Sequence, residues 1–256
     1  MGRLMRPGAG FAAALGLLTR LPISARAPLS HGVGWFPVVG ALVGLAAAGI
    51  YALGYGVFPG PLAATVAVAG ALLITGALHE DGLADYADAV GSRADPGRAL
   101  EILRDPRVGV FGSLALIVSV AWRIGALSGL RPVEATAALI MANSMARSGA
   151  AALIGIIPSA RPEGLGHVSS DARGSHRLAA MAVGVVIGAV AGGLWVVPAG
   201  LITAVVVLYL AESARRRLGG MTGDVLGACE QVIEISLLTL ALVAVRLETP
   251  IWAGFL

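Results

Sequence analysis

The 256-residue chain is 57% apolar, holds 36 glycines besides, and has only 13% charged residues, a formal net charge of +3 and a mean hydropathy of +0.85. An ordinary soluble domain carries about 25% charge, and a soluble fold could not hide this apolar surplus because much of its surface must still face water. Composition therefore excludes a soluble enzyme, a nucleic-acid-binding domain and a disordered chain, and it specifies an all-α polytopic membrane helix bundle, read as one integral-membrane domain over 1–256.

In chain order, Met1–Arg6 is basic and Phe11–Leu18 is a short apolar run. Thr19-Arg20-Leu21-Pro22 follows it where a signal peptide would carry a small-residue cleavage site. The run is therefore read as a helix lying in the membrane interface. A crossing helix needs about 20 mostly apolar residues, and seven stretches meet or approach that length: 34–56, 62–78, 109–129, 133–157, 179–197, 199–212 and 232–250. The sixth is short and is expected to be tilted or broken.

All 18 basic residues are arginine. With a cytoplasmic N-terminus and seven alternating spans, 14 of them fall on the cytoplasmic side. Arg131 and Arg246 fall outside, and Arg123 and Arg147 fall within spans. That asymmetry is what the positive-inside rule expects. Of the 15 acids, 13 are placed on the same side, all but Glu134 and Glu248. A face rich in both signs reads as a site open to the cytosol. The single Cys229 excludes an internal disulfide, and four histidines with one cysteine make no zinc-type cluster.

Three segments carry chemistry. His79-Glu80-Asp81-Gly82-Leu83-Ala84-Asp85-Tyr86-Ala87-Asp88 follows the second span directly. Continued as a helix, it places Asp81, Asp85 and Asp88 on one face at i, i+4 and i+7. Like charges so spaced destabilise a helix, and a hard cation between them resolves the repulsion; Mg²⁺ takes such oxygens and shares them with substrate phosphates. Next, Arg104 and Arg107 flank Asp105 before the third span, followed by Gly109 and Gly112. Guanidinium forks suit phosphate, and the glycines let backbone come close to a ligand. Third, Gly219-Gly220-Met221-Thr222-Gly223-Asp224 predicts a tight turn presenting Thr222 and Asp224 at a helix start, where anions are favoured. Asn143 and Arg147 lie one turn apart inside a span, where an ionisable residue either marks function or, for Arg147, snorkels or pairs with an acid. The polar stretch Ser159–Arg177, with Arg161, Glu163, His167, Asp171 and His176, reads as a cover for substrate or as a plain connector.

Together these segments resemble the cobalamin synthase (adenosylcobinamide-GDP ribazoletransferase) family, which is distantly similar to CDP-alcohol phosphatidyltransferases. The resemblance also takes in Leu18-Thr19-Arg20-Leu21-Pro22, Pro37-Val38-Val39-Gly40, Glu101–Gly112 and Pro162-Glu163-Gly164-Leu165-Gly166. Glu80 departs from it, standing where an apolar residue is expected. Asp81-Gly82 matches the Asp-Gly pair of the CDP-alcohol signature, but Ala84-Asp85 replaces its following Ala-Arg.

The resemblance implies a Mg²⁺-dependent multi-pass enzyme of the last step of cobalamin assembly, and with the charge asymmetry the expectation is an inner-membrane enzyme whose active site faces the cytoplasm. Such an enzyme joins adenosylcobinamide-GDP to α-ribazole or its 5′-phosphate and releases GMP, the 5′-hydroxyl of α-ribazole attacking phosphorus. On this reading Asp81, Asp85 and Asp88 hold metal, and Asp224 or Asp105 completes a second position. Arg104, Arg107, Thr222, Gly82 and Arg147 contact substrate. The base is Asp224, Asp88 or His79. The lipid bilayer is a further partner, and homo-oligomerisation is left open. A prenyltransferase using Mg-pyrophosphate is the competing enzyme class. A transporter fits less well, because transporters place ionisable groups at the midplane within internal repeats.

Overall fold

A computed structural model describes residues 8–23, 27–161, 172 and 174–248, and among them the regular structure is helical throughout. Helix α1 (Gly8–Leu18) has 11 residues, too short to cross a bilayer, and packs on the 3₁₀ turns that lead into α2 (Phe36–Tyr55). There follow α3 (Gly60–Thr75), α4 (Leu78–Gly91), α5 (Pro96–Ile102), α6 (Val110–Ser128), α7 (Pro132–Leu153), α8 (Gly174–Gly192), α9 (Val196–Leu218) and α10 (Gly223–Arg246). Proline in the first turn starts α2, α3, α5 and α7, where its missing N–H removes no helical bond.

Each of the seven apolar stretches overlaps one helix: α2, α3, α6, α7, α8, α9 and α10. The sixth is neither short nor broken. Helix α9 runs 23 residues, because the polar end that lowers hydropathy stays helical. There Glu212 takes the Arg215 fork at 2.8 Å and also pairs with Arg216. The last helix begins at Gly223 rather than 232, since Glu230, Gln231 and Glu234 are buried within it.

Four continuous helical runs among the described residues have the length and apolarity to cross a membrane: Leu29–Tyr55, Val110–Ser128, Gly174–Leu218 and Gly223–Arg246. The pair α3 and α4 makes a fifth, bent by 91°. Within Gly174–Leu218 the chain reverses at Gly193–Trp195. Gly184, Gly188 and Gly192 of α8 lie against Ser148, Met145 and Met141, running down α7, while Gly149 lies against Thr203 and Val207 of α9.

Helix α7 occupies the centre, touching α2, α8, α9 and α10, with most of its residues buried. Lipid does not surround it, so Asn143, Ser144 and Arg147 are tolerated there. Gly40 and Gly44 of α2 meet the carbonyls of Asn143 and Leu139, the small-residue contact by which membrane helices approach closely. Outward-facing Leu53 and Leu73 are 79% and 78% exposed. Such a surface belongs in hydrocarbon, and the chain is a multi-pass membrane protein. At one end of the bundle Tyr51 Oη lies 2.8 Å from the carbonyls of both Leu127 and Leu130, tying α2 to the α6–α7 connection. The other end gathers α1, α4, α5 and the turn before α10.

Candidate active site at a helix bend

Helix α3 does not continue into the aspartate segment. Gly76 (φ +67°) and Ala77 (φ +56°) are both left-handed, and their N–H groups close on Leu72 O. Glycine adopts this conformation freely, whereas an alanine there costs roughly 1–2 kcal/mol. The two residues turn the chain so that α4 starts as a separate helix across the end of the bundle. Asp81, Asp85 and Asp88 keep their one-turn spacing within it.

Helix α4 meets α10 at two glycines. A Cβ on Gly82 would lie 3.0 Å from Asp224 O and 3.2 Å from Gly227 Cα, and one on Gly227 would lie 3.1 Å from His79 O. Gly82 is therefore first a crossing residue. The close approach brings Asp81 and Asp224 to one cavity of about 150 Å³, walled by Leu17, Leu18, Leu29, Phe36 and Leu78, with His79 and Arg147 also in its lining.

The turn before α10 follows from its glycines. Gly219 (φ +76°) ends α9, and Thr222 caps α10, its Oγ1 accepting from Val225 N–H at 3.4 Å and donating to Asp224 Oδ2 at 3.1 Å. Paired amides fasten this turn to the segment after α7: Ala160 N–H donates to Met221 O at 2.9 Å and Met221 N–H to Pro158 O at 2.8 Å. That strap carries Arg161 towards the site. Its NH2 donates to Leu100 O at 2.7 Å, its Nε is buried without a hydrogen bond, and it feels Asp224 as an attracting charge and Arg104 as a repelling one.

The aspartates have different partners. Asp81 is exposed and Asp85 half-buried, and Asp81, Asp88 and Asp224 all act on Asp85 as like charges. Asp88 instead caps α6 from a neighbouring helix: Oδ2 accepts from Gly109 N–H at 2.7 Å and Oδ1 from Gly112 N–H at 2.9 Å. The glycines expected to admit a ligand admit this carboxylate. Asp105 is held by Arg107, whose Nε and NH2 donate to its two oxygens at 2.9 and 2.7 Å. That fork, with the Arg107 amide, holds the Asp105 carboxyl down to about 2. Arg104 and Arg107 are exposed. Among the described residues no three His, Cys, Asp or Glu side chains converge closely enough to cage a metal by themselves.

Beneath the cavity lies a buried charge network. Arg147 NH1 sits 2.6 Å from Glu230 Oε1 and donates to Asn143 Oδ1 at 2.9 Å. His79 Nδ1 is 3.6 Å from Glu230 Oε2. Gln231 Nε2 donates to Glu230 at 3.0 Å and to Glu80 at 3.1 Å, and Arg123 NH1 donates to Glu80 at 2.8 Å with Glu234 3.9 Å away. This corrects the placement of the acids: Glu80, Glu230 and Glu234 are interior, not on the cytosolic face. Glu80 stands where an apolar residue was expected because Arg123 and Gln231 face it. Arg147 reaches the cavity wall but is already paired.

Sequence reasoning missed Glu230 and Glu234 as interior groups, and it treated Arg161 only as part of a covering loop. The i, i+4 spacing of Glu230 and Glu234 around Gln231 was the available signal for the first two. Arg161 gives none, because a strap between non-sequential segments positions it. Arg3, Arg6, Arg26, Glu163, His167, Asp171, Arg173 and the Pro162–Gly166 motif lie outside the described residues.

The profile of the cobalamin-5-phosphate synthase family matches residues 10–243. The adenosylcobinamide-GDP ribazoletransferase of Bradyrhizobium diazoefficiens is 42% identical over 237 residues, covering 89% of this chain and 91% of its own length. The same-named protein of Azorhizobium caulinodans is 39% identical over 226 residues, 82% and 83% of the two chains, and that of Chlorobaculum tepidum 35% over 251 residues, 95% and 98%. No solved structure gives a significant match. The family match runs through both the bend that carries Asp81 and the turn that carries Asp224, and this chain belongs to the cobalamin-5-phosphate synthase family.

Proposed function

We propose that this chain is a Mg²⁺-dependent adenosylcobinamide-GDP ribazoletransferase of the inner membrane, with its site in the cytoplasm. The carrying observation is that Gly82 and Gly227 bring the carboxylates of Asp81 and Asp224, from two helices, to one cavity. A ribose hydroxyl of α-ribazole or its 5′-phosphate attacks the phosphorus next to cobinamide. The bond from that phosphorus to the GMP oxygen breaks, GMP leaves with the electron pair, and the hydroxyl proton passes to a base. A family named for a 5-phosphate product points to a ribose hydroxyl other than the 5′ as the nucleophile.

Asp81, Asp85 and Asp224 are the carboxylates that suit a hard cation. Asp88 is taken by amides and Asp105 by Arg107. Mg²⁺ usually takes one or two carboxylates and fills its shell with water and substrate phosphate, a demand that Asp81 and Asp224 suit. When bound, it would neutralise charge on the pyrophosphate. Arg161, beside Asp224 and Arg104, supplies cationic charge to the same phosphates. For the base we assign His79. It lines the cavity, and its Nδ1 lies 3.6 Å from Glu230 Oε2, so a carboxylate stands behind the imidazole. Thr222 fixes Asp224 through its hydroxyl.

Purified protein in nanodiscs, given adenosylcobinamide-GDP, should release GMP only when α-ribazole or its 5′-phosphate and Mg²⁺ are present. Release that ignores the acceptor, or no release at all, overturns this function.

A further inference from the structure

Two cavities meet at Asp81. The first is the cavity of about 150 Å³ already described, which combines His79, Asp81, Arg147 and Asp224 with a larger apolar lining. Leu17 and Leu18 come from α1, Leu29 from the turn after it, Phe36 from α2 and Leu78 from α4. Arg147 is only 2% exposed, and its Nε has no hydrogen-bond partner. The second is an open groove of about 600 Å³ that carries Thr19, Arg20, Thr75, Gly76 and Val108. Leu17, Leu78 and Asp81 belong to both, so one thin wall separates them.

The two spaces suit different ligands. An apolar cavity of about 150 Å³ is the size that takes a benzene ring. It is too small for a nucleoside diphosphate or a macrocycle; ligands of drug size occupy about 300–1,000 Å³. An in-line displacement needs the attacking and leaving oxygens on opposite sides of phosphorus. A carboxylate standing between two spaces provides that geometry.

Resting on the function proposed above, we propose that the smaller cavity is the acceptor subsite. The flat, weakly polar base of an azole nucleoside lies against Leu18, Leu29 and Phe36, and its ribose points to Asp81, Asp224 and His79. The donor's pyrophosphate enters from the open groove, past Arg20. Leu17 of α1 and Leu78 of α4 then divide the two substrates, and Leu18 helps to select the base by size.

Two measurements test this. Benzimidazole, the ring without its ribose, should inhibit competitively against α-ribazole and not against adenosylcobinamide-GDP. Competition with the donor, absence of inhibition at millimolar concentration, or inhibition that follows detergent chain length rather than ring size each overturn the assignment. Leu29→Phe, which adds bulk to the apolar lining, should raise the KM for α-ribazole at least ten-fold and leave the donor KM within about two-fold. Arg20→Gln should do the reverse. Equal effects of both variants on both substrates overturn the assignment while leaving the function standing. A wild-type protein with no acceptor-dependent GMP release overturns the function itself. The benzimidazole measurement needs only wild-type protein, so it decides the question even if Leu29→Phe fails to fold.

Discussion

Five aspartates are candidates for the site, and what distinguishes them is which groups already hold their oxygens. Asp105 meets the Arg107 fork, Asp88 meets two amides, and Asp81, Asp85 and Asp224 face one another's charge. Because Arg107 keeps the Asp105 carboxyl at about 2, that pair persists through any working pH. Asp105→Asn should therefore keep turnover within a few-fold of wild type with unchanged Mg²⁺ dependence. Asp85→Asn should lose on the order of 10²–10³ in kcat, the scale for removing one electrostatic stabiliser at a reacting centre. Asp88→Asn should destabilise by about 1–2 kcal/mol, the scale of a lost cap, without moving the Mg²⁺ dependence. Turnover against Mg²⁺ concentration, with unfolding curves in one detergent, separates the three. The spacing of Asp81, Asp85 and Asp88 was legible because helix geometry is local. That Asp88 turns to α6 was not, since its partners lie 21 and 24 residues away.

Hydropathy placed each of the seven apolar stretches on a helix, although among the described residues only four helical runs, or five with the bent pair, are long and apolar enough to cross a membrane. It did not reveal the bend between α3 and α4. The Gly76-Ala77 pair that makes the bend has no unusual polarity, and only the glycine hints at a C-terminal cap. Nor did it reveal that Gly82 is a contact point and not a ligand site first. In Gly82→Ala the added carbon would sit 3.0 Å from Asp224 O, against backbone that cannot rotate away. Helices α4 and α10 must then separate by a few tenths of an ångström, moving Asp81 away from Asp224. Gly82→Ala should insert and run as a monodisperse protein yet lose at least ten-fold in kcat. Gly97→Ala, on exposed α5, should change neither. Equal kcat in the two variants would show that the crossing does not set the site.

Across the whole molecule, charge is sorted into the interior and the two ends. Inside, Arg123 serves both Glu80 and Glu234, and Arg147 serves Glu230. Removing one partner of a buried pair costs about 3–5 kcal/mol, so Arg123→Met should unfold far more readily than Glu80→Gln, which keeps the shape and an acceptor for Gln231. Thermal unfolding in detergent gives the order. At the ends, Arg20, Arg93, Arg98, Arg104, Arg107, Arg161, Arg177 and Arg215–Arg217 lie at the end that bears the site, and Arg131 and Arg246 at the other. The fold thus turns a linear count of arginines into a physical polarity, and the positive-inside rule applied to it is the basis of the proposed cytoplasmic orientation. Cys229 is buried, so Cys229→Ser gives a background for labelling single cysteines. In intact cells a membrane-impermeant maleimide should label Phe58→Cys and Arg131→Cys and spare Arg98→Cys and Arg217→Cys, which should react only after permeabilisation. Labelling of Arg98→Cys or Arg217→Cys from outside would place the aspartates on the outer side, and the proposed orientation would have to be reversed.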